Sequence, residues 1–198
     1  METVFSETHR LRFRNLRPSD YEAVRSFRSD PVACRYAADP LLPDEVTAHI
    51  ARCKDGWSRR EGETLCLAAE LRSDGAVVGE AMIRYVSLRD RHAESRIALA
   101  PRCFRTGLGL ELGLATLRYC FDELHLHRVS WFIDVANEPA LKLARRMCMA
   151  VEGTLRQHTQ RGGAWRDEHV VSLLAPEWPA VRERFRHELG QDRLDGGR

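Results

Sequence analysis

Apolar and polar residues alternate along HRLRFRNL, where Leu11 and Phe13 fall between arginines, the period-two pattern of a half-buried strand. The period then lengthens. Ala23, Val24 and Phe27 recur at helical spacing behind Ser19 and Asp20, both good cap residues. After a proline-marked loop, DPLLPDEVTAHIARCKDGW puts Val46, Ile50 and Cys53 on one face of a second helix. From Leu65 the short period returns. TLCLAAEL, AVVGEAMIRYV and AESRIALA form three strands, and the short polar links RSDG and SLRDRH predict an antiparallel meander.

The second half changes style. GLGLELGLATLRYCFDEL places Leu110, Leu114, Leu117 and Phe121 on one helical face. RVSWFIDV is almost continuously apolar, which predicts a strand buried on both sides in a parallel position. NEPALKLARRM is a short helix capped by Asn137, with Pro139 in the tolerated first turn. AVEGTLRQH and WRDEHVVSLL make a closing hairpin across TQRGGA. The remaining PEWPAVRERFRHELGQDRLDGGR predicts a surface helix with a frayed end. The order β-α-α-β-β-β-α-β-α-β-β implies an α/β fold with a mixed, mostly antiparallel central sheet flanked by helices. One domain is expected over residues 1–198, with its core at about 10–178 and a C-terminal helix and tail at 179–198.

Charge and cysteine usage narrow the function classes. A net charge of +2 lacks the basic excess of a polyanion binder, so no DNA partner is expected. No run approaches the about 18 apolar residues of a membrane span, and no membrane partner is expected. METVFSETHRLRFR carries charges where a signal peptide needs an apolar run. Six cysteines stand singly without a CxxC pair, which suits a reduced, cytoplasmic protein.

The chemistry concentrates at FRTGLGLE, residues 104–111. A strand, a glycine-rich turn and a helix start together make a phosphate cradle, because first-turn N–H groups lack partners and the helix dipole favours an anion. Gly107 and Gly109 would let a pyrophosphate lie on the backbone, Thr106 would add a hydroxyl, and Arg102 or Arg105 a charge. Glycines that merely ease packing remain an alternative on this stretch alone. A dinucleotide fingerprint fails, since the third glycine, Gly113, comes one residue late, and a Walker loop fails for want of a lysine.

Four segments in order carry a resemblance to the GNAT N-acetyltransferase superfamily, in its RimJ/RimL-like branch of ribosomal-protein N-acetyltransferases. They are LRFRNLRPSDYEAVRSFRSDP, PRCFRTGLGLELGLATLRYCFDELHLHRV, DVANEPALKLARRMCMAVEGTLR and GGAWRDEHVVSLLAPEW. The resemblance implies splayed strands at the cofactor site, with acetyl-CoA (or another acyl-CoA) as cosubstrate. Its pyrophosphate would lie on Phe104, Arg105, Thr106, Gly107, Leu108, Gly109 and Leu110. Its pantetheine would pair with the strand end Ala98, Leu99 and Ala100, beside Asn137. The family's usual Arg or Gln is Phe104 here, its next glycine is Arg105, and hydroxyl positions of the branch are Ala140 and Ala144.

The implied reaction is direct acyl transfer to a primary amine of a protein N-terminus or a small molecule, with a homodimer left open. A non-catalytic acyl-CoA sensor or scaffold is the alternative reading. Transfer needs an unprotonated amine and a base, best one with a raised pKa. Glu94, on the strand bordering the cofactor, is the first candidate and Glu80, on the preceding strand, the second. Asp134 and Glu111 read as structural, and His92 as either a base or a solvent-facing loop residue. His125 and His127 lack a third ligand, so no metal is expected. Cys148 is expected to be buried and apolar. Arg35, Arg89, Arg91, Arg161 and Arg166 lie on segments that border the acceptor mouth by resemblance, which favours an acidic acceptor or an acyl group bearing a carboxylate; solvated surface charge explains them equally well.

Overall fold

The computed structural model describes residues 4–37, 39–54 and 60–190. Eight strands form one sheet: β1 (Val4–Glu7), β2 (Leu11–Asn15), β3 (Thr64–Leu71), β4 (Val77–Ser87), β5 (His92–Leu99), β6 (Arg128–Asp134), β7 (Ala150–Arg161) and β8 (Ala164–Leu174), in the order β1-β2-β3-β4-β5-β6-β8-β7. Every neighbouring pair is antiparallel except β5 with β6. Helices α1 (Tyr21–Arg28), α2 (Pro31–Cys34) and α3 (Pro43–Lys54) connect β2 to β3. Helix α4 (Leu108–Arg118) joins β5 to β6, α5 (Glu138–Arg146) joins β6 to β7, and α6 (Trp178–Arg184) follows β8. No described helix is long and apolar enough to cross a membrane.

The alternation seen in the strands sorts two cores onto the two faces of the sheet. Leu11, Phe13, Leu65, Leu67, Ala81, Ile83, Ala93, Val129, Trp131 and Leu173 pack with α4 in one cluster. Leu16, Cys66 and Ala68 pack with Val24 and Phe27 of α1 and Val46 and Ile50 of α3 in the other.

Several expectations need correction. The hairpin strand β1 and the short α2 were not anticipated; α2 forms because Asp30 Oδ1 accepts from Val32 N (2.8 Å) and Ala33 N (3.0 Å), with Pro31 in its first turn. Helix α4 is buried nearly all round rather than along one stripe, since the β1–β2 hairpin and the C-terminal residues cover its outer side. The apolar β6 is parallel to β5 only at its start and antiparallel to β8 along its whole length. The C-terminal segment is no loose surface helix, because Trp178, Val181, Phe185 and Leu189 are core residues. Its end, residues 191–198, lies outside the described residues.

Candidate active site

β5 and β6 pair only where His92, Ala93 and Glu94 face Arg128, Val129 and Ser130. Beyond that point β5 continues with β4 to Leu99, while β6 continues with β8 to Asp134. The two strands therefore splay, with Trp131 Nε1 donating to Ser95 Oγ (2.5 Å) where they part. Not all of the expected pantetheine strand is free to bind. Ala100 N donates to Val78 O and its carbonyl accepts from Cys103 N, both at 2.8 Å, so its backbone is committed. The Ala98 carbonyl turns toward β4, where a Cβ on Gly79 would lie 2.3 Å from it. By ladder alternation the backbone groups of Ile97 and Leu99 face the gap instead. Leu99 is thus the member of the expected trio whose backbone groups face the gap.

The turn after β5 is shaped as a cradle. Arg105 (φ 62°) and Gly107 (φ 84°) both adopt left-handed backbone, a conformation that glycine tolerates and arginine does not favour. Glu111 N bonds to Gly107 O (3.2 Å), and the Gly109 and Leu110 N–H groups have no intrahelical partner. Gly109 serves differently from Gly107. A Cβ there would sit 3.8 Å from Leu143 and 4.0 Å from Leu99, in the mouth of the splay. Leu108 and Leu110 are buried and anchor the helix start, whereas Phe104 is exposed. The expected Thr106 donor is turned inward: its hydroxyl donates to Cys103 O (2.7 Å) and accepts from Leu108 N (3.4 Å). Asn137 caps α5, its Oδ1 accepting from Ala140 N (3.2 Å), beside the end of β6.

A residue that sequence reasoning missed borders the glycine turn. Arg10 donates through Nε to Glu111 Oε2 (2.7 Å) and through Nη1 to Thr106 O (3.1 Å). A Cβ on Gly107 would lie 3.4 Å from its Nη2, so this half-exposed guanidinium borders the glycine turn. Buried Glu111 also accepts from Arg10 N and Thr8 Oγ1, both at 2.6 Å. Nothing local in the sequence links positions a hundred residues apart.

Neither expected base has the raised pKa that the role asked for. Glu94 is buried, and burial alone would push its carboxyl up. The Arg84 hydrogen bond (2.5 Å) and the Arg96 charge outweigh burial and hold it below its ordinary value. Arg96 binds the second oxygen through Nε (2.9 Å) and Nη2 (2.7 Å). Glu80 is fully enclosed. There too burial is overcome, by the Arg28 charge and by a 2.9 Å hydrogen bond with His49 Nε2, and its pKa falls. His92 stands on the same face as Glu94, its Nε2 3.0 Å from Ser130 Oγ. Burial and the Arg128 charge lower its pKa, which keeps the imidazole neutral. A small open hollow of about 190 Å³ is lined by Thr64, Met82, Arg84, Glu94 and Arg96. Asp134 is structural as expected: Oδ1 accepts from Ala136 N (2.9 Å) and Oδ2 from Arg161 (3.0 Å).

The cysteines also depart from expectation. Cys148 is exposed rather than buried. Cys53 and His49, one turn apart on α3, meet Cys66 of β3, with all three ligand atoms within 4.8 Å of one another. Cys66 hydrogen-bonds Cys53 and, against burial and together with His49, lowers the Cys53 pKa to about 6; the same bond raises that of Cys66. Burial would lower His49, but its bonds to Cys53 and Glu80 raise it to about 9. The i, i+4 spacing of His49 and Cys53 was visible in the sequence; the third member was not.

The chain as a whole is similar to known proteins. Residues 10–149 match the acetyltransferase (GNAT) domain family. An uncharacterized N-acetyltransferase, YnaD of Bacillus subtilis, is 23% identical over 171 residues, covering 86% of this chain and 97% of its own. The L-amino acid N-acetyltransferase AaaT of Escherichia coli is 25% identical over 165 residues, covering 81% and 96%. The solved structure of spermidine N-acetyltransferase from Vibrio cholerae, in complex with CoA and spermine, superposes with a TM-score of 0.74 at 20% identity, over 85% of this chain and 98% of that one. With the splayed strands and the glycine turn at a helix mouth, the family match settles the class of reaction: the chain belongs to the GNAT acetyltransferase family and moves an acyl group from acyl-CoA to an amine.

Proposed function

We propose that this enzyme transfers the acetyl group of acetyl-CoA to the α-amine of an acceptor that carries a carboxylate nearby, such as an amino acid or an acidic peptide N-terminus. The observation carrying this reading is the pair of half-exposed arginines, Arg84 and Arg96, held side by side at the hollow by buried Glu94. Two guanidiniums against one carboxylate leave a net positive charge. Arg84 Nη1 and Arg96 Nη1 have no hydrogen-bond partner among the described residues. Guanidinium donors fixed in this way suit bidentate recognition of a carboxylate. They disfavour a polycation such as spermidine.

Cofactor binding falls to the Arg105–Leu110 turn, with Arg10 supplying charge, and to Leu99 along the pantetheine. Asn137 holds the start of α5 beside it. The amine nitrogen attacks the thioester carbonyl, the C–N bond forms and the C–S bond breaks. CoA leaves as a thiolate that takes up a proton. Neutral His92, braced on Ser130, receives the proton of the amine directly or through water. Glu94 acts as the anchor of the two arginines rather than as the base, and Glu80 holds Arg28 and His49. The RimJ/RimL-like placement rests on the four sequence segments.

The test is acetyl-CoA turnover against a panel of free amino acids, acidic and neutral N-terminal peptides, and spermidine. Carboxylate-bearing acceptors are expected to turn over, and the R84Q and R96Q variants to raise KM for them with little change in kcat. Preference for spermidine, or an unchanged KM in both variants, overturns the acceptor assignment.

A further inference from the structure

A second cluster adjoins the hollow on the same face of the sheet, since Cys66 is two residues along β3 from Thr64, and the proposed acyl transfer does not use it. Cys66 sits opposite Met82 in the β3–β4 register and points into the layer between sheet and α3. His49 and Cys53 descend from α3 onto it, held by Val46 and Ile50 against the sheet. Cys53 Sγ is 3.9 Å from His49 Nδ1. Bond lengths of about 2.3 Å to sulfur and 2.0 Å to nitrogen put tetrahedral ligand atoms about 3.5–3.8 Å apart. The cluster already approaches that spacing, and small side-chain rotations would close the rest.

Glu80 strengthens the case. Its carboxylate takes the other imidazole nitrogen, Nε2, at 2.9 Å. With Nε2–H held by Glu80, an incoming metal would displace the Nδ1 proton and take the nitrogen that faces the Cys53 sulfur. This is the carboxylate–histidine arrangement that orients imidazole ligands toward metals. Charge balance agrees. Two thiolates cancel a divalent cation, while Glu80 is neutralised by Arg28, so a metal-loaded cluster would bury no net charge.

We infer that His49 Nδ1, Cys53 Sγ and Cys66 Sγ form a binding site for a thiophilic divalent ion of the zinc class, with Glu80 as the positioning residue and a fourth position open to water. Two sulfurs and one imidazole select such an ion over magnesium or calcium, which prefer oxygen. The ion would fasten α3 to β3 beside the acceptor hollow.

The test uses full-length protein, reduced and stripped with a chelator, titrated with cobalt(II) and then with zinc(II). A near-ultraviolet thiolate-to-cobalt charge-transfer band and the strong visible bands of tetrahedral cobalt are expected, saturating at a single ion per chain and bleached by zinc. The C53S and C66S variants, each checked for fold by circular dichroism, lose the charge-transfer intensity of one sulfur. E80Q keeps the spectrum and binds about 10–100-fold more weakly, as expected for loss of an outer-shell carboxylate. C148A, at the exposed cysteine, changes nothing. If C66S fails to fold, half-buried Cys53 decides the matter alone. Absence of the band in the wild-type protein, or its full persistence in C53S, overturns the site.

Discussion

The two faces of the central sheet are built on different principles. Toward α4, the inward positions of β2, β3, β4, β5, β6 and β8 are nearly all apolar, and Ser95 is spent on Trp131. Toward α1 and α3, the same strands carry buried charge. Arg14 bridges Asp20 (2.7 Å) and Glu70 (2.6 Å), Glu80 holds Arg28 and His49, and Glu94 gathers Arg84 and Arg96. The first face needs only complementary volume to support a cofactor helix. On the proposed reading the second face recognises the acceptor's carboxylate, with Arg84 and Arg96 exposed and fixed by Glu94 while Arg14 and Arg28 stay inside. Burying such pairs adds little net stability, but breaking one is costly.

The contrast can be broken most forcefully at Arg14. R14M leaves Asp20 and Glu70 buried without their cation and is expected to cost about 3–5 kcal/mol, measured by urea unfolding. L112A on the apolar face should cost a similar amount, about 2–5 kcal/mol. The two losses differ in kind: salt and pH should alter the first and leave the second unchanged.

Next in size, G79A should cost about 1–3 kcal/mol as an overpacking change. Its Cβ would meet the Ala98 carbonyl at 2.3 Å, so β5 must shift and acetyl-CoA affinity should fall with stability. An unchanged calorimetric affinity would mean that the end of β5 does not hold the cofactor.

Acid stability sharpens the comparison further. The folded pKa of Glu94 lies below its ordinary 4.5, so its contribution is present above 4.5 and lost as pH falls through the lower folded value. His92, held below its ordinary 6.5, acts in the same direction: the unfolded imidazole binds its proton first, so stability declines as pH drops below 6.5. E94Q should therefore flatten the acid limb of a melting-temperature profile, whereas L112A should lower the whole curve without reshaping it. The smallest effect is expected at the clasp of the glycine turn. E111Q weakens the bonds to Arg10 and Thr8 and should reduce acetyl-CoA affinity several-fold with little change in kcat.

How much of this was legible follows from how far each feature reaches along the chain. Strands β3, β4 and β5 were readable because alternation is a local property, and α4 with its glycine turn because helix starts have a local signature. Arg10 against Gly107, or Cys66 against His49, has no such signature. Each depends on which strand lies beside which helix. The lowered rather than raised pKa of Glu94 was hidden for a similar reason, since Arg84 reaches it across a paired register. Ala98 and Leu99 do end a strand, with Ala100 just past it, yet which of them turns its backbone to the gap was decided by hydrogen bonding to β4.

Periodicity and turn chemistry were thus enough for the order of elements apart from β1 and α2, the mostly antiparallel sheet and the glycine turn at a helix start, because hydrophobic burial and helix ends act over a few residues. The partial parting of β5 and β6, the pairing of each buried carboxylate and the convergence of two cysteines and a histidine came only with tertiary structure. Electrostatic partners and ligand sets are defined by distance in space, and in this sheet that distance bears little relation to separation along the chain.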